Sequence, residues 1–297
     1  MIGMHERSSA ETSAEPSGLW TDANGIQTHY LDVGEGDPVL LLHGSGPGVT
    51  AWSNWRSTIP SLSTTFRTIA PEYVGFGQTA RPEGLVYGVE TWTRHVLDFL
   101  DALLLDRVRI VGNSMGGAIA LRIARYHPDR VSQMVLMGSG GLEPKQMSPG
   151  LRQLRDYEPT PENMRSLIAD TFLYDSSLLT EQLVHERYES SRRPGVHETY
   201  RKMFHDAGHQ GNEHWLPRDE IASVTTPTLV VHGREDRVIP WDVGQDLFHL
   251  LPNATLHMFS QCGHWAQIEH AGEFNTVVGE FFRSAPGTGE HGSDKGR

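Results

Sequence analysis

Short apolar runs alternate with longer stretches of helical periodicity over most of this chain. Val39–Leu42, Thr68–Ala70, Val108–Val111, Met134–Met137, Thr228–Val231 and Thr255–Phe259 are nearly continuous in apolar residues. Each ends at a Gly, Pro or polar break, the pattern of strands covered on both faces. Between Ala70 and Val108, Trp92, Val96, Phe99, Leu100 and Leu103 recur at helical spacing and predict an amphipathic helix. A second helix is predicted just after Ser114, through Ala118, Ile119, Leu121, Ile123 and Ala124, stopping before Pro128. Strand–helix alternation of this kind predicts an α/β class domain, with a mostly parallel sheet and helices on both faces. Gly25–Val33 follows an Asn24-Gly25 turn signal and suits an antiparallel opening.

The rhythm breaks between about Gly140 and Pro217. Helical stretches are predicted there over Glu162–Phe172, Leu178–Tyr188 and His197–Phe204, with no convincing strand. Ordinary crossover helices are the plainer alternative, but the length of the strand-free stretch favours an inserted helical cap. The expected organisation is a core of residues 18–139 and 218–283 with a cap at 140–217. Residues 1–17 and 284–297 are Ser/Glu-rich and Gly-rich respectively, and both are expected to be disordered.

Composition narrows the partners. The 297 residues carry a formal net charge of −12 with His neutral. That sign argues against nucleic acid as a partner, because phosphate binding rests on Lys and Arg. It also means that an anionic substrate needs a local cation inside its site. No apolar stretch approaches the roughly 20 residues needed to span a bilayer. The first residues look like neither signal peptide nor anchor, so no membrane association is expected. A single cysteine, Cys262, allows no intrachain disulfide, and cytoplasmic residence is the default expectation.

The strongest chemical signal is Gly112-Asn113-Ser114-Met115-Gly116-Gly117, after one predicted strand and opening a helix. That is the context of a G-x-S-x-G nucleophile elbow. The turn is tight enough to demand Gly on either side, and it pushes the serine hydroxyl above the sheet. The N–H of Met115 is then free for a developing oxyanion. A serine needs a base. Of sixteen histidines, His264 in Cys262-Gly263-His264-Trp265 follows the last predicted strand on a loop, where a base would meet the serine. His43, His232 and His257 end or line strands and suit structural roles. The base needs an acid. Asp236 and Glu235 both follow a strand directly, and the loop pattern favours Asp236. The order Ser, Asp, His is that of the α/β-hydrolase fold. His43-Gly44-Ser45-Gly46-Pro47-Gly48 suits the second half of an oxyanion hole. It lacks the lysine of a P-loop and the spacing of a dinucleotide fingerprint. No spaced cluster demands a metal, and no cofactor is expected.

Taken together, these motifs resemble the meta-cleavage product hydrolases, carbon–carbon bond hydrolases of bacterial aromatic degradation, in their monocyclic branch. The resemblance spans roughly Trp20 to Phe282. Besides the glycine loop, elbow, Asp236 and His264 segments, it rests on Trp52-Ser53-Asn54, Gly75-Phe76-Gly77, Phe172-Leu173-Tyr174-Asp175 and Arg187-Tyr188-Glu189. Asn113 inside the elbow and Trp265 after the histidine are the more specific features.

The resemblance implies a small anionic substrate, a 2-hydroxy-6-oxohexa-2,4-dienoate. It implies attack by Ser114 on the C6 carbonyl, proton transfer by His264, and an oxyanion hole from the N–H groups of Ser45 and Met115. Arg187 would bind the substrate carboxylate, Asn113 and Asn54 the dienoate end, and Trp265 and Phe172 would pack nearby. The products would be 2-hydroxypenta-2,4-dienoate and a carboxylic acid. Relatives are often multimeric, which implies a homo-oligomer. Two departures matter: Ser45 stands where many members have Gly, and Val238 stands where some carry a bulkier residue lining the acyl pocket. The segment Asn212–Leu216 matches nothing informative. An esterase or lactonase with the same triad is the rival enzyme reading, and a slow-turnover small-molecule receptor of this fold is the rival outside enzymes.

Overall fold

Every predicted apolar run is a strand of one sheet, and each extends by one or more residues beyond the run. The computed structural model describes residues 16–143, 146–204 and 215–284. Its strands are β1 (Leu19–Ala23), β2 (Ile26–Val33), β3 (Pro38–Leu42), β4 (Arg67–Pro71), β5 (Val108–Asn113), β6 (Val131–Met137), β7 (Thr228–Gly233) and β8 (Ala254–Phe259). They lie in the order β1-β2-β4-β3-β5-β6-β7-β8. β1 pairs antiparallel with β2, and β2 antiparallel with β4; all other pairs are parallel. The Asn24-Gly25 turn joins β1 to β2 with both residues at positive φ. β1 itself, which is largely exposed, carries little apolar signal of its own.

The helices are α1 (Ala51–Trp55), α2 (Ile59–Leu62), α3 (Val89–Ala102), α4 (Met115–Tyr126), α5 (Pro149–Arg155), α6 (Pro161–Leu167), α7 (Glu181–Ser191), α8 (Val196–Phe204), α9 (Arg218–Ala222), α10 (Trp241–Leu250), α11 (Ala266–Glu269) and α12 (Ala271–Ser284). Alternation along the strands explains why the runs are apolar throughout. Leu40, Leu42, Ile110, Met134, Leu136 and Val230 belong to one buried cluster, with the α3 and α4 side chains Trp92, Phe99, Ile119 and Ile123. Val39, Leu41, Val111, Val135, Leu229 and Val231 belong to the other, with Trp55, Leu62, Phe274 and Phe282. The central strands β3, β5, β6 and β7 thus bury both of their faces.

Among the described residues, the excursion between β6 and β7 holds helices and no strand. Its ends meet where the Leu216 N–H donates to Gly141 O at 2.7 Å. Two helix predictions shift here. The Glu162–Phe172 stretch is an α-helix only to Leu167 and finishes as a π-turn over Ile168–Phe172. The Leu178–Tyr188 stretch starts at Glu181, because the Thr180 hydroxyl caps Leu183 N–H, and it runs on to Ser191. α5 was not anticipated, although Ser148-Pro149 is a helix-start signal: the Ser148 hydroxyl accepts from Leu151 N–H, with Pro at the first position. The expectations for residues 1–15 and 285–297, and for Asn212 to His214, lie outside the described residues.

The chain steps from β3 outward to β4 and then crosses to β5 on the other side of β3. A crevice therefore opens at the carboxyl ends of β3 and β5, the place where open α/β sheets bind ligands. Leu42 lies opposite Gly112, so the loops after these two strands leave the sheet together.

Candidate active site

Ser114 sits at φ 54, ψ −117, between the end of β5 and the start of α4. A positive φ costs a non-glycine residue roughly 1–2 kcal/mol, so this turn is strained. The positions two residues away on either side, Gly112 and Gly116, cannot carry side chains. A Cβ on Gly112 would stand 2.5 Å from Gly116 O, and one on Gly116 would collide with Leu42 O. Met115 is the first residue of α4, and its N–H has no acceptor within the helix.

His264 and Asp236 come from loops that follow neighbouring strands. Gly233 at the end of β7 pairs with Phe259 at the end of β8. His264 Nδ1 donates to Asp236 Oδ2 over 2.7 Å, and both side chains are buried. Asp236 Oδ1 accepts from the N–H groups of Val238 at 2.8 Å and Ile239 at 2.9 Å. Burial alone would raise the Asp236 pKa. The facing charges and hydrogen bonds of His264 and His232 outweigh it and hold the carboxyl well below its ordinary range. Glu235, the competing acid, points elsewhere: its carboxylate accepts from Cys262 N–H at 3.0 Å and pairs with Arg234. It clamps the histidine loop from outside.

Ser114 and His264 line one small cavity with Gly44, Ser45, Gly46, Asn54, Asn113, Phe172, Arg187 and Trp265. Among the described residues no hydrogen bond joins Ser114 to His264. Catalytic hydrogen bonds of free enzymes are often loose and tighten on binding. The space open to water centres is about 10 Å³, room for about one water.

Arg187, on α7, is 3% exposed. Nη1 donates to Ser53 Oγ at 3.0 Å, and the guanidinium lies 5.5 Å from the Trp265 ring centroid. Nε is buried with no partner. Among the described residues no carboxylate pairs with it. Burial lowers its pKa to about 10, so it remains a cation at neutral pH. Asn54 lies on α1 with its side-chain nitrogen also buried and unpartnered. Asn113 spends one N–H on Met137 O at 3.3 Å, which leaves its oxygen and second N–H. Phe172 stacks on Trp265 at 4.3 Å between centroids, and its carbonyl accepts from His264 N–H at 2.8 Å.

Val238 is fully buried in the core cluster that also holds Phe172 and Trp265, and it is not among the residues that line this cavity. Its contribution is the N–H that binds the aspartate.

Sequence reasoning missed four residues. Gly138 follows β6 at φ +48, and a Cβ there would lie 3.0 Å from His264 Nδ1 and 3.1 Å from Asp236 Oδ2. Ser53 orients Arg187, although it sits inside a motif already noted. His232, taken as structural, brings Nε2 to 3.4 Å from Asp236 Oδ2 and 2.9 Å from Ile239 O. Glu269 accepts from Tyr174 and Asp175 N–H at 2.7 and 2.9 Å and from Gly263 N–H at 2.7 Å. It ties the helical excursion to the histidine loop. Among the described residues no group of His, Cys, Asp and Glu could hold a metal ion.

Comparison with known proteins agrees with this architecture. A family model described as alpha/beta hydrolase fold matches residues 37–271. The 2-hydroxy-6-oxo-2,4-heptadienoate hydrolase of Pseudomonas putida strain F1 is 46% identical over 260 residues, covering 87% of this chain and 94% of that protein. The 2-hydroxymuconate semialdehyde hydrolase of Pseudomonas sp. strain CF600 is 44% identical over 265 residues, covering 89% and 93%. Among solved structures, the meta-cleavage product hydrolase CumD of Pseudomonas fluorescens IP01, a serine-to-alanine mutant complexed with acetates, superposes with a TM-score of 0.87. It is 44% identical, with 91% of this chain and 98% of that chain covered. An eight-stranded sheet with a serine elbow, a buried Asp–His pair and this degree of likeness leads to one assignment: the chain belongs to the α/β-hydrolase fold family and, within it, to the meta-cleavage product hydrolases.

Proposed function

We propose that this chain is a serine-dependent hydrolase that cleaves the C5–C6 bond of 2-hydroxy-6-oxohexa-2,4-dienoates, giving 2-hydroxypenta-2,4-dienoate and a carboxylic acid. The observation that carries the reading is Arg187: a buried guanidinium without a carboxylate partner among the described residues, in the same cavity as Ser114 and His264. An isolated buried charge is costly. A substrate carboxylate supplies the missing partner, and Arg can take it bidentately. A neutral ester has no use for it.

In this reading His264 takes the proton of the substrate's 2-hydroxyl and delivers it to C5, so that the dienol becomes its keto tautomer. Ser114 Oγ adds to C6 as His264 takes its proton, and the C6 oxyanion lies against the N–H groups of Ser45 and Met115. One such donor contributes about 3–4 kcal/mol. The C5–C6 bond then breaks, and its electron pair is delocalised from C5 through the C3–C4 double bond to the C2 oxygen. That oxygen takes the proton that His264 removed from Ser114, which gives 2-hydroxypenta-2,4-dienoate and leaves the acyl group on Ser114 Oγ. Water then attacks the acyl carbon as His264 takes its proton, and the acid leaves as His264 returns that proton to Ser114 Oγ. Asn54 and Asn113 hold the dienoate end, and Trp265 and Phe172 flank the reacting carbons. Asp236 keeps His264 in the Nδ1–H tautomer.

Residues 140–217 act as a cap in this proposal. The cavity as it stands holds about one water, so the cap or its side chains must shift to admit a dienoate. Cytoplasmic residence and a homo-oligomeric state belong to the same reading; sedimentation of the pure protein measures the second. Among the described residues no helix is long and apolar enough to cross a membrane.

The test mixes pure protein with a panel of ring-fission products and follows the loss of their visible absorbance. Ser114→Ala should bind the coloured dienoate and leave it intact. Turnover of neutral esters with no dienoate cleavage would instead mark an esterase, and binding without turnover of either would mark a receptor.

A further inference from the structure

A second, much larger space borders the buried cavity. It is an open cleft of about 1210 Å³ between α7, the residues around α1, and the loop at residues 77–81. Ser53 lines the cleft and Arg187 lines the inner cavity, and the hydrogen bond between them is the shared wall. The cleft is cationic in a chain of net charge −12. Its arginines are Arg56, Arg81 and Arg193, and its acids are Glu186 and Glu189. Both acids are already neutralised: Glu186 by Arg56 at 2.9 Å and Glu189 by Arg192 at 2.8 Å. Among the described residues Arg81 and Arg193 have no carboxylate partner. Arg81 is anchored by its Nη atoms to Thr79 O and Gly77 O, which leaves Nε buried without a partner. The two guanidinium groups feel each other. Burial first, and Arg193 among the neighbouring charges, lower the Arg81 pKa. Glu72 acts on Arg81 in the opposite sense through space, but neither Arg81 nor Arg193 has a carboxylate paired with it among the described residues. Two such guanidinium groups at the open side of a closed anion site form a natural stopping point for a carboxylate.

We propose that this cleft is the entry vestibule of the enzyme, where Arg81 and Arg193 hold the carboxylate of the incoming dienoate before it passes Ser53 to Arg187. The inference rests on the proposed function for the identity of the anion, but not for its charge. Local cations of this kind raise the concentration of an anionic substrate at the mouth and its rate of entry, and salt screens the effect.

The experiment compares kcat/KM for a dienoate at about 20 mM and about 500 mM salt. Arg193 is exposed, so its replacement should not disturb folding. Arg193→Glu should lose about 3- to 10-fold at low salt, Arg193→Gln less, and both losses should shrink towards nothing at high salt. Arg107→Glu, exposed just before β5 at the opposite end of the sheet, makes the same change in net charge and should show no low-salt loss. Equal behaviour of Arg193→Glu and Arg107→Glu, or a loss that persists in high salt, overturns the vestibule. If wild-type protein does not cleave the dienoate, the proposed function fails on its own. The same salt series with an anionic 4-nitrophenyl half-ester then decides the vestibule, with the same outcomes supporting or overturning it.

Discussion

His264 Nδ1 lies 2.7 Å from Asp236 Oδ2, and the other oxygen of the same carboxylate is bound by two backbone N–H groups. With Oδ1 so engaged, the aspartate cannot rotate away, and only one imidazole tautomer can face it. The nitrogen left for Ser114 is therefore Nε2 in its acceptor form.

Replacing that carboxylate by an amide should reverse the tautomer. In Asp236→Asn the amide nitrogen can face Nδ1, which then accepts, and the proton moves to Nε2. We expect kcat for a dienoate to fall by about 10³–10⁴-fold, the scale seen when a triad acid becomes an amide, with substrate binding largely kept. Single-turnover absorbance measurements separate the two. A loss of less than tenfold would mean that the pair does not drive proton transfer.

Gly138 offers a subtler test, because it touches both members of that pair. Gly138→Ala adds a methyl 3.0–3.1 Å from Nδ1 and Oδ2, at a backbone φ of +48. Gly84→Ala is a matched control, with φ +74 and nothing within 4 Å. Both variants should lose roughly 1–2 kcal/mol of stability from the backbone alone, read as a drop of a few degrees in Tm. Only Gly138→Ala should also lose about tenfold or more in kcat. Equal kcat in the two variants would show that the Asp236–His264 geometry tolerates the push.

The contrast between these residues shows what could be read in the chain beforehand. The central strands were legible because each buries both faces, which leaves a continuous apolar run. The elbow was legible because steric demand confines its flanks to Gly. The loop pattern favours Asp236 over Glu235 although both follow β7 at once; the physical difference, which pattern does not carry, is that Glu235 reaches Cys262 N–H across the loop. Gly138 and Glu269 were silent for a related reason. Their roles are contacts with segments distant in sequence, such as Glu269 with Tyr174, and no local periodicity encodes them.

Arg187 should show the signature of a cation kept for ligand binding at the expense of stability. Arg187→Met removes a buried charge that has no acidic partner among the described residues, so the variant should be as stable as wild type or more stable. Its kcat/KM for dienoates should fall by roughly 10- to 100-fold, from the loss of charge-assisted hydrogen bonds at about 1.5–3 kcal/mol. Arg187→Lys should recover part of this, because a point charge replaces a planar fork. The loss with a neutral ester should be much smaller. Denaturant melts combined with dienoate and ester kinetics test all of this, and an equal loss on both substrates would remove the carboxylate role.

Acid should weaken the fold before it reaches the carboxylates, through two buried histidines. His95 Nδ1 lies 3.2 Å from Val74 N–H, which donates to it, and Nε2 lies 2.8 Å from the Thr28 hydroxyl, whose proton goes to Ile26 O. His43 Nδ1 faces Gly44 O at 2.6 Å and Nε2 faces Tyr73 N–H at 3.4 Å. Each ring therefore has one acceptor nitrogen opposite a backbone N–H and can take a second proton only by breaking that contact. Burial, the largest cause for both, lowers their pKa values to about 4 from an ordinary 6.5. Between those values the unfolded chain binds protons that the folded chain refuses, so stability falls as pH falls. The contribution is complete above about pH 6.5 and is lost progressively towards pH 4, on the order of 3 kcal/mol per histidine. Urea unfolding at a series of pH values from 7.5 down to 4.5 should show this slope, and His95→Gln should flatten part of it. A stability that is level across the whole interval would mean that both rings protonate within the folded protein.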